Sequence, residues 1–207
     1  MRLWKAFLLI GGIVAAIVIF RSCGKTTYTN LPPRATGPWI ALGDSLTAGY
    51  GASAGNDYPS ALSKKIAHPI LNMGVSGATT ESSSSRIDEI VRLQPRVVLL
   101  CLGGNDGLQQ LPVSTTFENL STMIDRFQES GSFVVLIGVR GASISDRYAS
   151  PFKKLAKEKH VLFVPNILSG VMGSPSLMSD YIHPNDEGYE AIAQRLEKIL
   201  TPFLPEL

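Results

Sequence analysis

Five short apolar runs recur along the chain, and each is followed by a segment with the spacing of an amphipathic helix. The runs are 39–42, 70–75, 97–102, 133–139 and 161–167. They are rich in Val, Ile and Leu, and most show no alternation of apolar and polar residues, which is typical of strands buried on both faces. Strands that alternate with helices predict an α/β fold built on a doubly wound, five-stranded parallel sheet.

The segments between the runs carry apolar residues on one helical face. They are 58–66, 87–93 before Pro95, 117–127 before Gly131, 148–159 and 187–200. The pattern therefore predicts five helices, with no internal repeat and no second globular domain.

The charge of the chain is unevenly distributed. The 207 residues include 19 basic and 17 acidic side chains, a formal net charge of +2. Five basic residues and no acidic one lie in 1–38, which leaves 14 basic and 17 acidic side chains, a net charge of −3, in 39–207. A mildly acidic body lacks the basic surface that nucleic-acid binding requires, so we expect no nucleic-acid partner.

The longest apolar run, residues 6–20, follows a basic start. As a helix it spans roughly 22 Å, less than the ~30 Å hydrocarbon core of a bilayer, although a snorkelling Lys5 extends its reach. The same features describe a signal peptide, but no A-x-A-like cleavage site follows. We predict a signal anchor or signal peptide, as an apolar helix, over 1–22 and a polar linker over 23–38. An uncleaved anchor is the first choice, and a cleaved signal and a lipidated Cys23 are the alternatives.

Polar residues collect directly after the predicted strands. The segments are Gly43-Asp44-Ser45-Leu46, 72–77, Gly103-Gly104-Asn105-Asp106-Gly107 and, beyond a loop, Asp180-Tyr181-Ile182-His183-Pro184. Ligands of open α/β sheets bind outside the carboxyl ends of the strands, so these segments are expected to meet at one edge. Together they supply a hydroxyl, an imidazole, a carboxylate, an amide and glycine N–H groups, a set that suits acyl transfer.

Each of these groups has a role in that chemistry. Ser45 is a weak nucleophile unless a base takes its proton, and His183 is the candidate base, with Asp180 orienting its ring. The backbone N–H groups of Ser45 and Gly77 and the side-chain amide of Asn105 are the candidate oxyanion donors. Pro184 is predicted to begin the last helix. Because His183 must be neutral to act as a base, activity is expected to fall at acid pH.

Other interpretations of single residues stay open at this point. Gly-Asp-Ser is also a turn signal, Asn105 could serve a left-handed turn, Asp180 could cap a helix and His183 could lie on the surface. The one G-x-S-x-G match, residues 51–55, does not directly follow an apolar run, as the strand-to-helix nucleophile elbow of an α/β-hydrolase requires. The chain contains no G-x-x-x-x-G-K-[ST] motif and no G-x-G-x-x-G after the first strand. A typical α/β-hydrolase and a nucleotide-binding site are therefore not supported.

The four segments resemble the sequence blocks of the GDSL/SGNH hydrolase family, and the resemblance covers nearly all of residues 39–207. Residues 41–50 and 102–108 are similar, more narrowly, to the bacterial multifunctional acyl-CoA thioesterase/lysophospholipase/arylesterase subgroup. The resemblance implies a hydrolase domain over 39–207, folded as a flavodoxin-like three-layer α/β/α sandwich with no metal and no cofactor. It also implies Ser45 as nucleophile, Gly77 and Asn105 as oxyanion donors, and Asp180 and His183 as the rest of the triad.

Two regions depart from the subgroup as it is usually found. Its familiar members are released as soluble periplasmic enzymes, whereas the basic, apolar N-terminus here predicts a bacterial inner-membrane anchor with the catalytic domain in the periplasm. Cleavage and secretion to the periplasm is the alternative. Residues 141–144 also differ from what the subgroup carries near its acyl pocket, which leaves the preferred acyl-chain length open.

The predicted partner is a small-molecule acyl ester or lipid, with the membrane contacted through the N-terminal segment. We expect substrate contacts beside Ser45 and in the segment after Asn105, from Asp44, Leu46, Gly107, Leu108, Leu111 and Ile144. The favoured function is a serine esterase that acts on lysophospholipids, acyl thioesters or aryl and alkyl esters through an acyl-enzyme. A carbohydrate O-acetyl esterase of cell-envelope glycans and a non-catalytic, membrane-anchored binding module are the alternatives.

Overall fold

A single parallel sheet forms the centre of the molecule, for which a computed structural model describes residues 27–140 and 146–207. Its strands are β1 (Trp39–Gly43), β2 (Ile70–Asn72), β3 (Val97–Cys101), β4 (Phe133–Ile137) and β5 (Leu162–Val164). They lie in the order β2-β1-β3-β4-β5, and all four pairings are parallel. The predicted five-stranded parallel sheet is thereby confirmed, in the order found in flavodoxin-like folds.

The three central strands form the core. Every residue of β1, β3 and β4 is buried, and β1 pairs with β3 from Trp39 opposite Val97 to Gly43 opposite Cys101. The edge strands β2 and β5 have three residues each. Except for the first, the apolar runs continue beyond the last residue of their strand, so their carboxyl-terminal parts lie in the loops above the sheet.

Eight α-helices occur in the described residues. They are α1 (Ser45–Ala48), α2 (Tyr58–Ile66), α3 (Thr80–Ser84), α4 (Ile87–Arg92), α5 (Gly104–Leu108), α6 (Val113–Glu129), α7 (Ala149–Glu158) and α8 (Asp186–Leu200). The five predicted helices are present as α2, α4, α6, α7 and α8, with ends that differ by a few residues. The short helices α1, α3 and α5 lie in the polar segments that follow the strands.

The helices form two groups on the sheet. Helix α2 packs against α8, while α6 packs against α3, α4 and α7. The chain moves from β1 to β2 in one direction along the sheet and from β3 to β5 in the other. Because such crossovers are right-handed, the two groups lie on opposite faces and produce three layers. The direction reverses at β1, which opens a crevice beyond its carboxyl end.

The last helix does not begin where the sequence predicts. Pro184 lies in an isolated bridge with Met178, and α8 begins at Asp186. Asn185 is its N-cap, because the Asn185 side chain accepts a hydrogen bond from the Gly188 N–H at 3.0 Å. The prediction for Pro184 is wrong because an asparagine cap satisfies a free N–H of the first turn, which proline at that position does not do.

The membrane predictions concern a part of the chain that is not described. The apolar helix expected over residues 1–22 and the first residues of the linker lie outside the described ranges. Within 27–140 and 146–207, no helix is both long enough and apolar enough to cross a membrane.

Candidate active site

Ser45 is the first residue of α1, directly beyond the end of β1. The turn into the helix is tight at Gly43, where a Cβ atom would lie 2.0 Å from Thr47 Oγ1 and 2.6 Å from the carbonyl oxygen of Cys101. The carboxylate of Asp44 caps the helix by accepting the Leu46 N–H at 3.0 Å. This turn holds the Ser45 hydroxyl at the crevice. Because Ser45 is the first residue of the helix, its backbone N–H has no partner within the helix.

A chain of hydrogen bonds connects Ser45 with two residues of a distant loop. His183 Nε2 lies 3.1 Å from Ser45 Oγ, and His183 Nδ1 lies 2.8 Å from Asp180 Oδ2. A carboxylate on Nδ1 favours the tautomer that carries its proton there, so Nε2 is left free to accept the hydroxyl proton. The geometry therefore suits removal of the Ser45 proton by His183.

The Asp180 carboxylate is held by three donors. Besides the imidazole, the N–H groups of Ile182 and His183 both donate to Asp180 Oδ1 at 2.7 Å. Desolvation raises the pKa of Asp180, but the hydrogen bonds from the His183 ring and from the two N–H groups outweigh it and lower the pKa below its ordinary value. Asp180 thus stays ionised when it orients the ring.

Gly77 and Asn105 face the same crevice from two other segments. Gly77 has a φ of 80°, and nothing lies within 4 Å of the position that a Cβ atom would take. The left-handed backbone, rather than crowding, favours glycine there. The Asn105 amide donates one hydrogen bond to the Ala78 carbonyl oxygen at 3.0 Å. Its second N–H remains available to a bound group.

A buried carboxylate connects the segments that carry Gly77 and Asn105. Asp106 is buried and accepts hydrogen bonds from the Thr80 N–H at 3.0 Å, from the Thr80 hydroxyl, and from the Thr116 hydroxyl at 3.2 Å. Asp106 follows Asn105 in α5, whereas Thr80 begins α3 just after Gly77 and Ala78. The network therefore fixes the position of Asn105 relative to Gly77.

Asp44 is the second carboxylate near His183. It is 2% exposed, and this burial raises the pKa of Asp44 to about 6, although the Leu46 N–H and the charge of His183 partly oppose the rise. Asp44 borders the crevice chiefly as the cap of α1. Its oxygens also restrict Gly104, where a Cβ atom would lie 3.0 Å from Asp44 Oδ2.

A cavity of about 550 Å³ opens beside Ser45. Its polar end is formed by the residues described above. Its apolar lining consists of Leu46, Leu108, Val139, Leu168, Met172 and Ile182. A cavity with one reactive end and an otherwise apolar wall suits a ligand that has an ester or thioester group attached to a hydrocarbon chain.

Only some of the residues predicted to contact substrate border the cavity. Asp44, Leu46 and Leu108 border the cavity, whereas Gly107 and Leu111 do not. Gly107 lies on the buried side of α5. After Gln110, whose φ is 57°, the chain turns back and Leu111 donates its N–H to the Asp106 carbonyl oxygen. Ile144 lies outside the described residues.

Other lining residues were not among the predicted contacts. Val139 belongs to the fourth apolar run, and Leu168 and Met172 come after the fifth. The same rule that located Ser45, inspection of the residues beyond the end of each strand, points to them. Tyr50 also borders the cavity, and its ring lies against the His183 imidazole. Nothing in the sequence distinguishes Tyr50 from an ordinary turn residue.

The site offers no cluster suited to a metal ion. Within the described ranges, no three His, Cys, Asp or Glu side chains are arranged so that they could hold one. That the protein works without a metal or cofactor stays a prediction of the family resemblance.

Comparison with known proteins relates this geometry to a family. A model of the GDSL-like lipase/acylhydrolase family matches residues 41–191. An arylesterase of Vibrio mimicus is 33% identical over 177 residues, covering 80% of this chain and 88% of the relative. Thioesterase 1/protease 1/lysophospholipase L1 of Escherichia coli K12 is 32% identical over 174 residues, covering 80% and 84%. The crystal structure of TesA superimposes with a TM-score of 0.75 at 25% identity, covering 80% of this chain and 99% of that one.

Proposed function

The chain belongs to the GDSL-like lipase/acylhydrolase family, and from that premise we propose that it hydrolyses acyl esters and thioesters with Ser45 as nucleophile, His183 as general base and Asp180 as the group that orients the base. One observation carries the proposal. It is the unbroken chain of hydrogen bonds from Asp180 through His183 to Ser45, which joins residues 138 positions apart in the sequence.

The reaction begins with attack of Ser45 Oγ on the acyl carbonyl carbon. His183 Nε2 takes the hydroxyl proton, and the imidazolium that forms is stabilised by the ionised Asp180. Collapse of the tetrahedral intermediate breaks the bond to the alcohol or thiol, which leaves with the proton from His183. Water then attacks the acyl-Ser45 ester, again losing its proton to His183, and releases the acid with Ser45 restored.

The tetrahedral intermediate carries its negative charge on the former carbonyl oxygen. We assign the Ser45 N–H, the Gly77 N–H and the free N–H of the Asn105 amide to that oxygen. Removing one such donor typically costs roughly 10²–10³ in kcat. Because Ala78 and Asp106 hold the donors in advance, little reorganisation is needed when the charge develops.

The cavity supports an acyl substrate larger than acetyl. An acetyl group would leave most of the roughly 550 Å³ apolar space empty, whereas a hydrocarbon chain would bury its surface against Val139, Leu168 and Met172. Relatives named arylesterase and thioesterase/lysophospholipase agree with this class. An O-acetyl esterase would use the same triad but leaves the apolar wall unexplained, and a non-catalytic binding module leaves the aligned triad unexplained.

A chain-length series of p-nitrophenyl esters tests the proposal. We expect hydrolysis of acetyl esters and higher kcat/KM for medium and long acyl chains, with Ser45→Ala reducing kcat by more than ~10³-fold. Ser63→Ala in α2 is a matched serine substitution away from the cavity, and it should retain full activity. Activity on acetyl esters alone would favour the glycan esterase, and activity that survives in Ser45→Ala would exclude Ser45 as the nucleophile.

The N-terminal segment is proposed to place this domain beyond a membrane. The observations in favour are the basic start, the apolar run of residues 6–20 and the polar linker. Mass spectrometry of the mature protein distinguishes a retained anchor, which keeps residues 1–22, from a cleaved signal, which loses them.

A further inference from the structure

The loop that carries the proposed base projects from the body of the protein. Within it, Tyr181 is 98% exposed, and Asp180 has 44% of its side chain exposed. Besides its bonds to Ser45 and Asp180, the His183 ring contacts an aromatic side chain, that of Tyr50. The ring centroids of Tyr50 and His183 are 4.5 Å apart, with an angle of 52° between the ring planes.

The backbone of Tyr50 is anchored on both sides. Its N–H donates to the carbonyl oxygen of Ser45 at 3.0 Å, and its carbonyl oxygen accepts from the hydroxyl of Tyr189 at 2.8 Å. Ser45 supplies the proposed nucleophile, and the buried Tyr189 belongs to α8, which follows the His183 loop. Tyr50 therefore bridges the elements on which the nucleophile and the base are mounted.

The residues after Tyr50 dock onto the same loop. At Gly51, a Cβ atom would lie 2.1 Å from Ser179 Oγ and 2.7 Å from the Pro184 carbonyl oxygen, so the two backbones are in close contact. The Asp186 carboxylate accepts from the Ser53 N–H at 2.6 Å and from Asn56 Nδ2 at 2.8 Å. These contacts fix the backbone of the Tyr50 turn beside the His183 loop.

We propose that Tyr50 is a positioning residue whose ring holds the His183 imidazole in line with Ser45 and stabilises the imidazolium that forms during attack. This inference rests on the proposed function and assigns a role that the triad does not include. An aromatic face within about 6 Å of a cation attracts it through the ring quadrupole. The attraction acts only once His183 has gained its proton, so it stabilises the transition state more than the resting enzyme.

The hydroxyl of Tyr50 has no part in this role. Among the described residues it makes no hydrogen bond, and Tyr50 is 57% exposed. The charged groups that interact with His183 in the described part of the chain are Asp180 and Asp44. A substitution at Tyr50 leaves both carboxylates in place, so a change in the pH dependence can be traced to the ring.

The experiment compares Tyr50→Leu with Tyr50→Phe on p-nitrophenyl acetate. For Tyr50→Leu we expect kcat to fall by roughly 3- to 30-fold with little change in KM. The acid limb of the pH profile of kcat/KM should move to lower pH by about 0.3–1 unit, because the imidazolium loses its aromatic neighbour. Tyr50→Phe keeps the ring and should restore most of the activity and the position of the acid limb.

Tyr28→Leu is the matched control. Tyr28 makes edge-to-face contacts with Phe203 and with Phe133, the first residue of β4, at the end of the strands away from Ser45. Its loss therefore reports the general effect of removing an aromatic contact. It should lower the melting temperature without moving the acid limb. Tyr50→Leu with an unmoved acid limb, or Tyr50→Phe as impaired as Tyr50→Leu, would overturn the inference. Failure of the proposed function is a separate result, in which the wild-type protein is inactive or Ser45→Ala is active.

Discussion

Asp44 offers a test of how burial next to the active site affects folding. Replacing Asp44 with asparagine preserves the size of the side chain and an oxygen that can accept the Leu46 N–H, so α1 keeps its cap. The substitution removes only the ability to ionise. We expect Asp44→Asn to be more stable than the wild type at pH 8 and equally stable near pH 4.

The magnitude follows from the pKa. Burial raises the pKa of Asp44 from 3.8 to about 6. Between these pH values the folded protein keeps a proton that the unfolded chain has lost, so the wild-type free energy of unfolding decreases as pH rises from about 4 to about 6. The full difference is about 3 kcal/mol, and it is constant above that window. The uncharged asparagine side chain of the variant avoids this loss.

Urea denaturation of both proteins between pH 4 and pH 8 measures the effect. The difference in free energy of unfolding should rise from near zero to about 3 kcal/mol across the window, with equal m-values. Asp44→Ala separates charge from capping, because it loses the helix cap as well and should be destabilised by about 1 kcal/mol relative to Asp44→Asn at every pH. A difference between Asp44→Asn and wild type that does not change with pH would refute the argument.

Two further predictions concern the cavity and the segments of the proposed oxyanion donors. Leu108→Asp places a charge in the apolar lining, so activity on long acyl esters should fall far more than activity on acetyl esters; equal losses would remove Leu108 from acyl recognition. Asp106→Ala leaves the N–H and the hydroxyl of Thr80 without their acceptor in the interior, whereas the Thr116 hydroxyl keeps the Pro112 carbonyl oxygen. The variant should cost about 2–4 kcal/mol in urea denaturation and lower kcat. Wild-type stability in that variant would contradict the role given to the network.

The sheet was predictable because buried parallel strands leave a clear pattern. Few other folds are compatible with apolar runs separated by amphipathic helices. The segments of the candidate site follow from the rule that ligands bind beyond the carboxyl ends of the strands. The exact ends of the strands were not predictable. Val139 continues an apolar run because it lines the cavity, and composition does not distinguish such a residue from one that pairs in the sheet.

Other features depend on contacts that sequence patterns do not record. Helices α1, α3 and α5 have four or five residues, too few to show a helical period. The cap at Asn185 rather than a start at Pro184 was decided by one side-chain hydrogen bond. The contact of Tyr50 with His183 joins residues far apart in the chain, and it becomes visible only when the loops are docked.

The separation of the proposed triad residues along the chain makes the expected activity depend on folding in a particular way. Asp180 and His183 are three positions apart, so the orientation of the imidazole is a local property of one loop. The contact of that imidazole with Ser45 spans 138 positions and exists only when α8 and the Tyr50 turn are seated on the rest of the molecule. Turnover is therefore expected to report the integrity of long-range packing, because a partly loosened chain would retain a correctly oriented His183 that has lost its contact with Ser45.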